Sequence, residues 1–174
     1  WAGPVYAAAV ILVPGKKLPT VRDSKTLSPK QRQSLSIFIK THCLAWSTGT
    51  ASVEEICQLN IRQAALLATQ RALARLQPTP EWILSDAFPV PGNVPCTPIV
   101  RGDALSKTIA AASIVAKVER DAHMCALDQQ YPGYCFADHK GYGTSSHQQA
   151  LEKLGPCPVH RMTYEPIRKI MEKA

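Results

Sequence analysis

From Val5 to Val13 every position is apolar, a run of strand length that stops at Pro14-Gly15. A buried strand is the reading. Helical signals follow: Ser28-Pro29-Lys30-Gln31 combines a capping box with Pro at the first helical position, and Leu35, Phe38 and Ile39 then share a face. Leu44, Trp46, Thr48 and Thr50 alternate as in a strand with one packed face. Ser52-x-x-Glu55 and Asn60-x-x-Gln63 open two more helices, the second running through Ala64 and Ala68 to Leu76, where Pro78 and Pro80 stop it. Glu81 to Ser85 is predicted as a strand, Thr97 to Val100 as a short extended piece, and Ala104 to about Gln130 as one long helix. Ser145-Ser146 and Gly155 bracket a further helix, and Pro166 opens a terminal one. Strands followed by strands alternating with helices define an α/β chain.

Length narrows this to one buried core, since 174 residues are too few for two ordinary domains. With 45% hydrophobic and 19% charged residues the composition is globular, neither disordered nor membrane-spanning. The longest apolar run falls far short of the ~18 residues that cross a bilayer. Neither a repeat nor a polar linker divides the chain. The six cysteines, at positions 43, 57, 96, 125, 135 and 157, form no CxxC pair, so reduced thiols and a cytoplasmic location are expected. Cys135-x-x-x-His139 and Cys157-x-x-His160 supply four possible zinc ligands, set against the alternative that such cysteines are small buried hydrophobes.

Charge points to a polyanion. The net charge is +7, and seven basic residues lie between Lys16 and Lys40 against the single acid Asp23. A solvated basic face is the bland alternative. A basic stretch beside a carboxylate site instead suits an enzyme that grips phosphates and holds cations.

Asp86 ends an apolar strand, where it is expected to be partly desolvated and in need of a cation or other partner. A strand-end turn or a helix cap is its structural alternative. Asp103 follows Gly102 and precedes an Ala-rich helix, so capping that helix is its alternative. Asp121, four residues after Lys117, reads as a helix-face contact. Asp23-Ser24-Lys25 stands in the basic loop before a helix, where hydroxyl, ammonium and free helical N–H groups suit a phosphate; the alternative is a plain surface loop. His139-Lys140-Gly141-Tyr142 reads as a loop in which Tyr142 either stacks on a sugar or base or closes the core as a lid, and Lys140 adds a phosphate contact.

Trp1-Ala2-Gly3-Pro4-Val5, Asp23-Ser24-Lys25-Thr26-Leu27-Ser28, the strand ending at Asp86, Arg101-Gly102-Asp103, Ala110 to Asp121 and His139-Lys140-Gly141-Tyr142 occur in that order over nearly the whole chain. They resemble ribonuclease HII, the enzymes that cut RNA within RNA–DNA hybrids. The resemblance implies a ribonuclease H-like fold, a mixed central sheet flanked by helices with a helical C-terminal portion from about residue 131. It implies endonucleolytic cleavage of the RNA strand, and 5′ to single ribonucleotides embedded in DNA, leaving 3′-hydroxyl and 5′-phosphate ends. Asp86 and Asp103 match the family's third and fourth metal-binding carboxylates, so they are the implied catalytic residues and ligands of Mn²⁺ or Mg²⁺. Ser24 and Lys25 match its backbone-contacting segment, with Thr26 in place of a second Lys. Tyr142 matches its stacking tyrosine. The implied partners are RNA–DNA hybrids and ribonucleotide-containing duplexes, bound by a monomer.

In that family the Gly-Pro-Val segment follows a strand reading Asp-Glu-x-Gly-Arg-Gly, whose two acids complete the carboxylate set. The sequence opens at Trp1, after that pattern. The expectation is therefore a fragment lacking the first strand of a single domain, with two of four carboxylates and little activity alone. Two other classes stay open: a non-catalytic hybrid-binding module, and a different ribonuclease H-like enzyme such as a resolvase or integrase, ranked last.

Overall fold

The computed structural model describes residues 1–16 and 27–172. In chain order the elements are β1 (Val5–Ile11), α1 (Pro29–His42), β2 (Ala45–Ala51), α2 (Val53–Leu59), α3 (Ile61–Arg75), β3 (Ile83–Asp86), β4 (Cys96–Ile99), α4 (Gly102–Leu105), α5 (Lys107–Gln130), α6 (Phe136–His139), α7 (Ser145–Leu154) and α8 (Glu165–Met171). Among the described residues the strands pair as two two-stranded sheets, β1 with β2 and β3 with β4. The chain divides into two compact units, one of Trp1–Val5, Ala51–Ala64 and Glu119–Ala174, the other of Tyr6–Thr50 and Ala65–Val118.

The second unit holds both sheets. Its core gathers Val10 of β1, Ile39 of α1 and Ala110, Ala111, Ile114 and Val115 of α5. Both capping boxes read from the sequence are formed. Gln31 N–H donates to Ser28 Oγ at 3.3 Å and Ser28 N–H to Gln31 Oε1 at 2.9 Å; Ser52 and Glu55 exchange the same pair at 3.2 and 2.8 Å to start α2. Asn60 stops α2 with φ 70° and caps α3, its Oδ1 accepting the amides of Arg62 and Gln63. Strand β2 is stitched to α3 by Ser47 Oγ–H to the Ala72 carbonyl at 2.6 Å and by Arg71 and Arg75 to the carbonyls of Thr50 and Thr48.

One expectation changes. The long helix does not begin at Ala104. A separate turn, α4, ends at Ser106, whose extended backbone (φ −119°, ψ 122°) breaks the helix before α5 starts at Lys107.

The other unit packs Ala2, Met124, Leu127, Tyr134, Phe136, Leu151, Cys157 and Ile167 around buried imidazoles. Its N-terminal segment is held by Gly3 N–H to the Val159 carbonyl at 2.8 Å and Arg161 N–H to the Trp1 carbonyl at 2.8 Å. Thr144 caps α7 through the His147 amide, and Gly155 ends that helix at φ 71°.

Candidate metal centre and nucleic-acid surface

Strands β3 and β4 run parallel, with Ile83 opposite Cys96 and Asp86 opposite Ile99. The ladder closes with Ala87 N–H donating to the Ile99 carbonyl at 2.9 Å, after which Ala87 turns at φ 63° and the strand ends. Alternation puts Trp82, Leu84 and Asp86 on one side of β3. All three are exposed. The expected partial desolvation of Asp86 is thus not found, because the apolar residues that suggested it lie on the same open side.

Asp86 is nevertheless fixed. Its Oδ1 accepts the Gly102 amide at 2.9 Å, made available by the left-handed turn at Arg101 (φ 57°). Among the described residues Asp86 Oδ2 has no hydrogen-bond partner. Asp103 follows immediately in the first turn of α4 and is buried. Space at Gly102 is tight: a Cβ there would sit 2.5 Å from Ile109 Cδ1, the far end of a side chain, and 3.4 Å from Asp86 Oδ1. Asp86 receives an amide from the first turn of α4, and in the first turn of α5 the Ile109 amide turns to Ser106 Oγ at 3.5 Å.

The donor set is all oxygen, which fits a hard divalent cation. Asp86 and Asp103 are the residues that would hold it. Among the described residues no group of three or more His, Cys, Asp or Glu side chains is disposed to bind a metal. That removes the zinc reading. Cys135 is exposed, both nitrogens of His139 face backbone groups, and buried Cys157 places Sγ 3.1 Å from His160 Nδ1.

Tyr142 is 55% exposed and belongs to neither core, which counts against the lid alternative. Gly141 before it takes φ 76°, and a Cβ there would lie 2.6 Å from the Ala2 carbonyl oxygen. The Arg120 guanidinium stands 5.2 Å from the Tyr142 ring centroid. Lys140 is half-buried; its ammonium donates to the Ala137 carbonyl and to Cys125 Sγ at 3.2 Å. Ser24 and Lys25 lie outside the described residues.

Sequence reasoning missed the groups that hold these candidates in place: the Gly102 amide under Asp86, Arg120 beside Tyr142, and His147. The only signal for the last was that three of the chain's five histidines, His139, His147 and His160, fall within 22 residues of one another.

The architecture is that of the ribonuclease H-like fold. Ribonuclease H2 from Pyrococcus horikoshii OT3 matches it with a TM-score of 0.76 at 22% identity, covering 98% of both chains. Bst-RNase HIII in complex with Mn²⁺ matches at 0.60 and 16% identity, over 88% of this chain and 58% of that one. The sequence is more specific. A family model described as ribonuclease HII matches residues 1–167. Ribonuclease HII of Halorhodospira halophila is 48% identical over 98% of this chain and 89% of its own length. The chain belongs to the ribonuclease HII family, metal-dependent endoribonucleases that act on the RNA of RNA–DNA hybrids.

Proposed function

We propose that this chain acts as a ribonuclease HII on the RNA strand of hybrids and also 5′ to single ribonucleotides in duplex DNA, leaving 3′-hydroxyl and 5′-phosphate ends. The observation that carries the reading is the coupling of Asp86 to the Gly102-Asp103 turn at the end of a parallel strand pair. Ligands bind at such strand ends in α/β sheets.

Asp86 and Asp103 are the catalytic carboxylates and the holders of Mn²⁺ or Mg²⁺. The bound metal would supply activation of water and stabilisation of the leaving 3′-oxygen. The chain's own part is positioning: Gly102 N–H orients one Asp86 oxygen, leaving the other for the cation, and burial restricts Asp103. In hydrolysis a water oxygen joins phosphorus, the bond from phosphorus to the 3′-oxygen breaks, and that oxygen leaves with a proton. Tyr142 stacks at the RNA-to-DNA junction, while Lys140, Ser24 and Lys25 contact phosphates. The net charge of +7 supports a polyanionic partner. We place the protein in the cytoplasm, a reading supported by six free cysteines, and take it to act as a monomer. No helix among the described residues is long and apolar enough to cross a membrane.

Two carboxylates supply only part of the roughly six oxygen ligands such a cation takes. These residues alone therefore give at most trace turnover. The same shortage favours the second reading, a non-catalytic hybrid-binding module. One assay separates them: cleavage of a duplex containing one ribonucleotide, in Mn²⁺ and Mg²⁺, by this chain and by the chain preceded by an Asp-Glu-x-Gly-Arg-Gly strand. Activity confined to the extended chain supports the nuclease. Activity in neither, with Asp86→Asn binding as before, supports the module.

A further inference from the structure

Three imidazoles beneath the Tyr142 turn form a hydrogen-bonded set whose tautomers are dictated by the backbone. The Tyr142 carbonyl can only accept, so the proton of neutral His147 is on Nδ1, 2.9 Å from that oxygen. His147 Nε2 must then accept from His160 Nε2–H at 3.0 Å. That leaves His160 Nδ1 to accept from the Cys157 amide at 2.9 Å, with the Cys157 carbonyl at 3.2 Å and Sγ at 3.1 Å beside it. The third ring obeys the same logic. Gly141 N–H donates to His139 Nδ1 at 3.1 Å, leaving Nε2–H for the Tyr134 carbonyl at 2.7 Å. His139 lies flat on His147, ring centroids 4.3 Å apart and planes within 9°.

All three imidazoles are buried, and His147 and His160 are fully so. Buried polar side chains with every nitrogen committed are costly to misplace, which makes them good fixtures for a neighbouring backbone. What they fix is the 139–144 turn. Its residues bond to one another through Tyr142 N–H to the His139 carbonyl and Thr144 N–H to the Tyr142 carbonyl, both at 2.9 Å. The Tyr142 carbonyl thus receives two donors, one from its own turn and one from His147.

We propose that His147, held in its tautomer by His160, is a positioning residue for Tyr142. It locks the backbone from which the exposed ring projects, so that the ring is presented in one orientation for stacking. The proposal rests on the reading of Tyr142 as a nucleic-acid contact, and Arg120 beside the ring acts in the same sense. A stacking platform that is ordered before binding spends less conformational entropy on association.

Two substitutions of similar size divide the two bonds of His147. His147→Asn keeps an N–H near the Nδ1 position, facing the Tyr142 carbonyl, and loses the bond to His160. His147→Gln keeps an oxygen near the Nε2 position for His160 and loses the bond to Tyr142. The full chain is titrated without divalent metal against a duplex carrying one ribonucleotide, with amide hydrogen exchange followed at Tyr142 and Thr144. Tyr142→Ala is expected to weaken binding about tenfold, the effect of one lost stacked base. His147→Gln is expected to weaken it about threefold and to speed exchange at both amides by at least that factor. His147→Asn should stay near wild type in both.

A purely structural role would make the two variants alike, and that result overturns the proposal. So does wild-type affinity in His147→Gln when Tyr142→Ala binds weakly. Should Tyr142→Ala bind like wild type, the stacking reading fails by itself; exchange then decides the positioning claim, which unchanged rates in His147→Gln would overturn.

Discussion

Asp86 Oδ1 accepts the backbone amide of Gly102 at 2.9 Å, tying the end of a strand to the turn that carries the second carboxylate. Asp86→Asn separates that bond from the charge. The amide oxygen of Asn still accepts from Gly102, and the site is exposed, so stability should change by no more than about 0.5 kcal/mol. Mn²⁺ binding should fall at least tenfold, since a carboxylate is replaced by a neutral group. Urea unfolding and Mn²⁺ titration of the same preparation check both halves. A large loss of stability would mean that Asp86 serves the fold rather than the metal.

Gly102→Ala tests the same junction from the other side. The new Cβ would meet Ile109 Cδ1 at 2.5 Å and Asp86 Oδ1 at 3.4 Å. The Ile109 methyl must swing aside within the core and the Asp86 oxygen is crowded, at a cost of about 1 kcal/mol. Mn²⁺ affinity should drop although both carboxylates remain. Unaltered affinity would show that the two acids need not be held through this turn.

Much of the framework was legible because its signals are local. The Ser28 and Ser52 boxes, the Asn60 cap and the Gly155 stop involve residues within one helical turn, and each was found where expected. The break at Ser106 was not legible, since Ala104, Leu105 and Ser106 are all tolerated in a helix and the interruption accompanies the docking of Gly102 on Asp86. Asp86 ends its strand as the sequence suggested, yet its exposure was misjudged: an apolar sequence does not say which face of a sheet is covered. The histidine set was invisible for a similar reason, because its partners lie up to 13 residues apart.

The Ser52 cap offers a direct stability test. Ser52→Ala removes the acceptor for the Glu55 amide and leaves Glu55 reaching back alone. The expected loss is about 1 kcal/mol, read as a shift in the urea midpoint without a change in slope. A change below a few tenths would show that α2 is held by packing of Val53 and Ile56 rather than by its cap.

Acid should unfold the unit containing the imidazoles. Burial first, then the neighbouring imidazoles His139 and His160, pushes His147 down to about 4 despite its bond to the Tyr142 carbonyl; burial likewise lowers His160 to about 4. Both are near 6.5 when unfolded, so the unfolded state takes up protons first. Their contribution is complete above about pH 6.5 and shrinks as pH falls through the folded values near 4. One imidazole shifted this far represents on the order of 3 kcal/mol. The urea midpoint should decline steadily from pH 7 to pH 4, less so in His147→Asn. A flat profile across that range would contradict the neutral, buried assignment.

Gly141 and Gly155 separate two costs of replacing a glycine. Both have positive φ, 76° and 71°, so alanine at either must adopt a backbone that favours glycine, costing about 1–3 kcal/mol. Nothing lies within 4 Å of a Cβ at Gly155, whereas at Gly141 it would press on the Ala2 carbonyl oxygen at 2.6 Å and Met124 Cε at 3.0 Å. Gly155→Ala should therefore lose only the backbone term. Gly141→Ala should lose about 1–3 kcal/mol more, because a backbone oxygen and a core methionine must give way. It should also displace Tyr142, the next residue, and weaken hybrid binding, which Gly155→Ala leaves intact. Equal stability losses would mean that the turn relaxes freely around residue 141. Equal hybrid affinities would mean that the backbone under Tyr142 does not set the orientation of its ring.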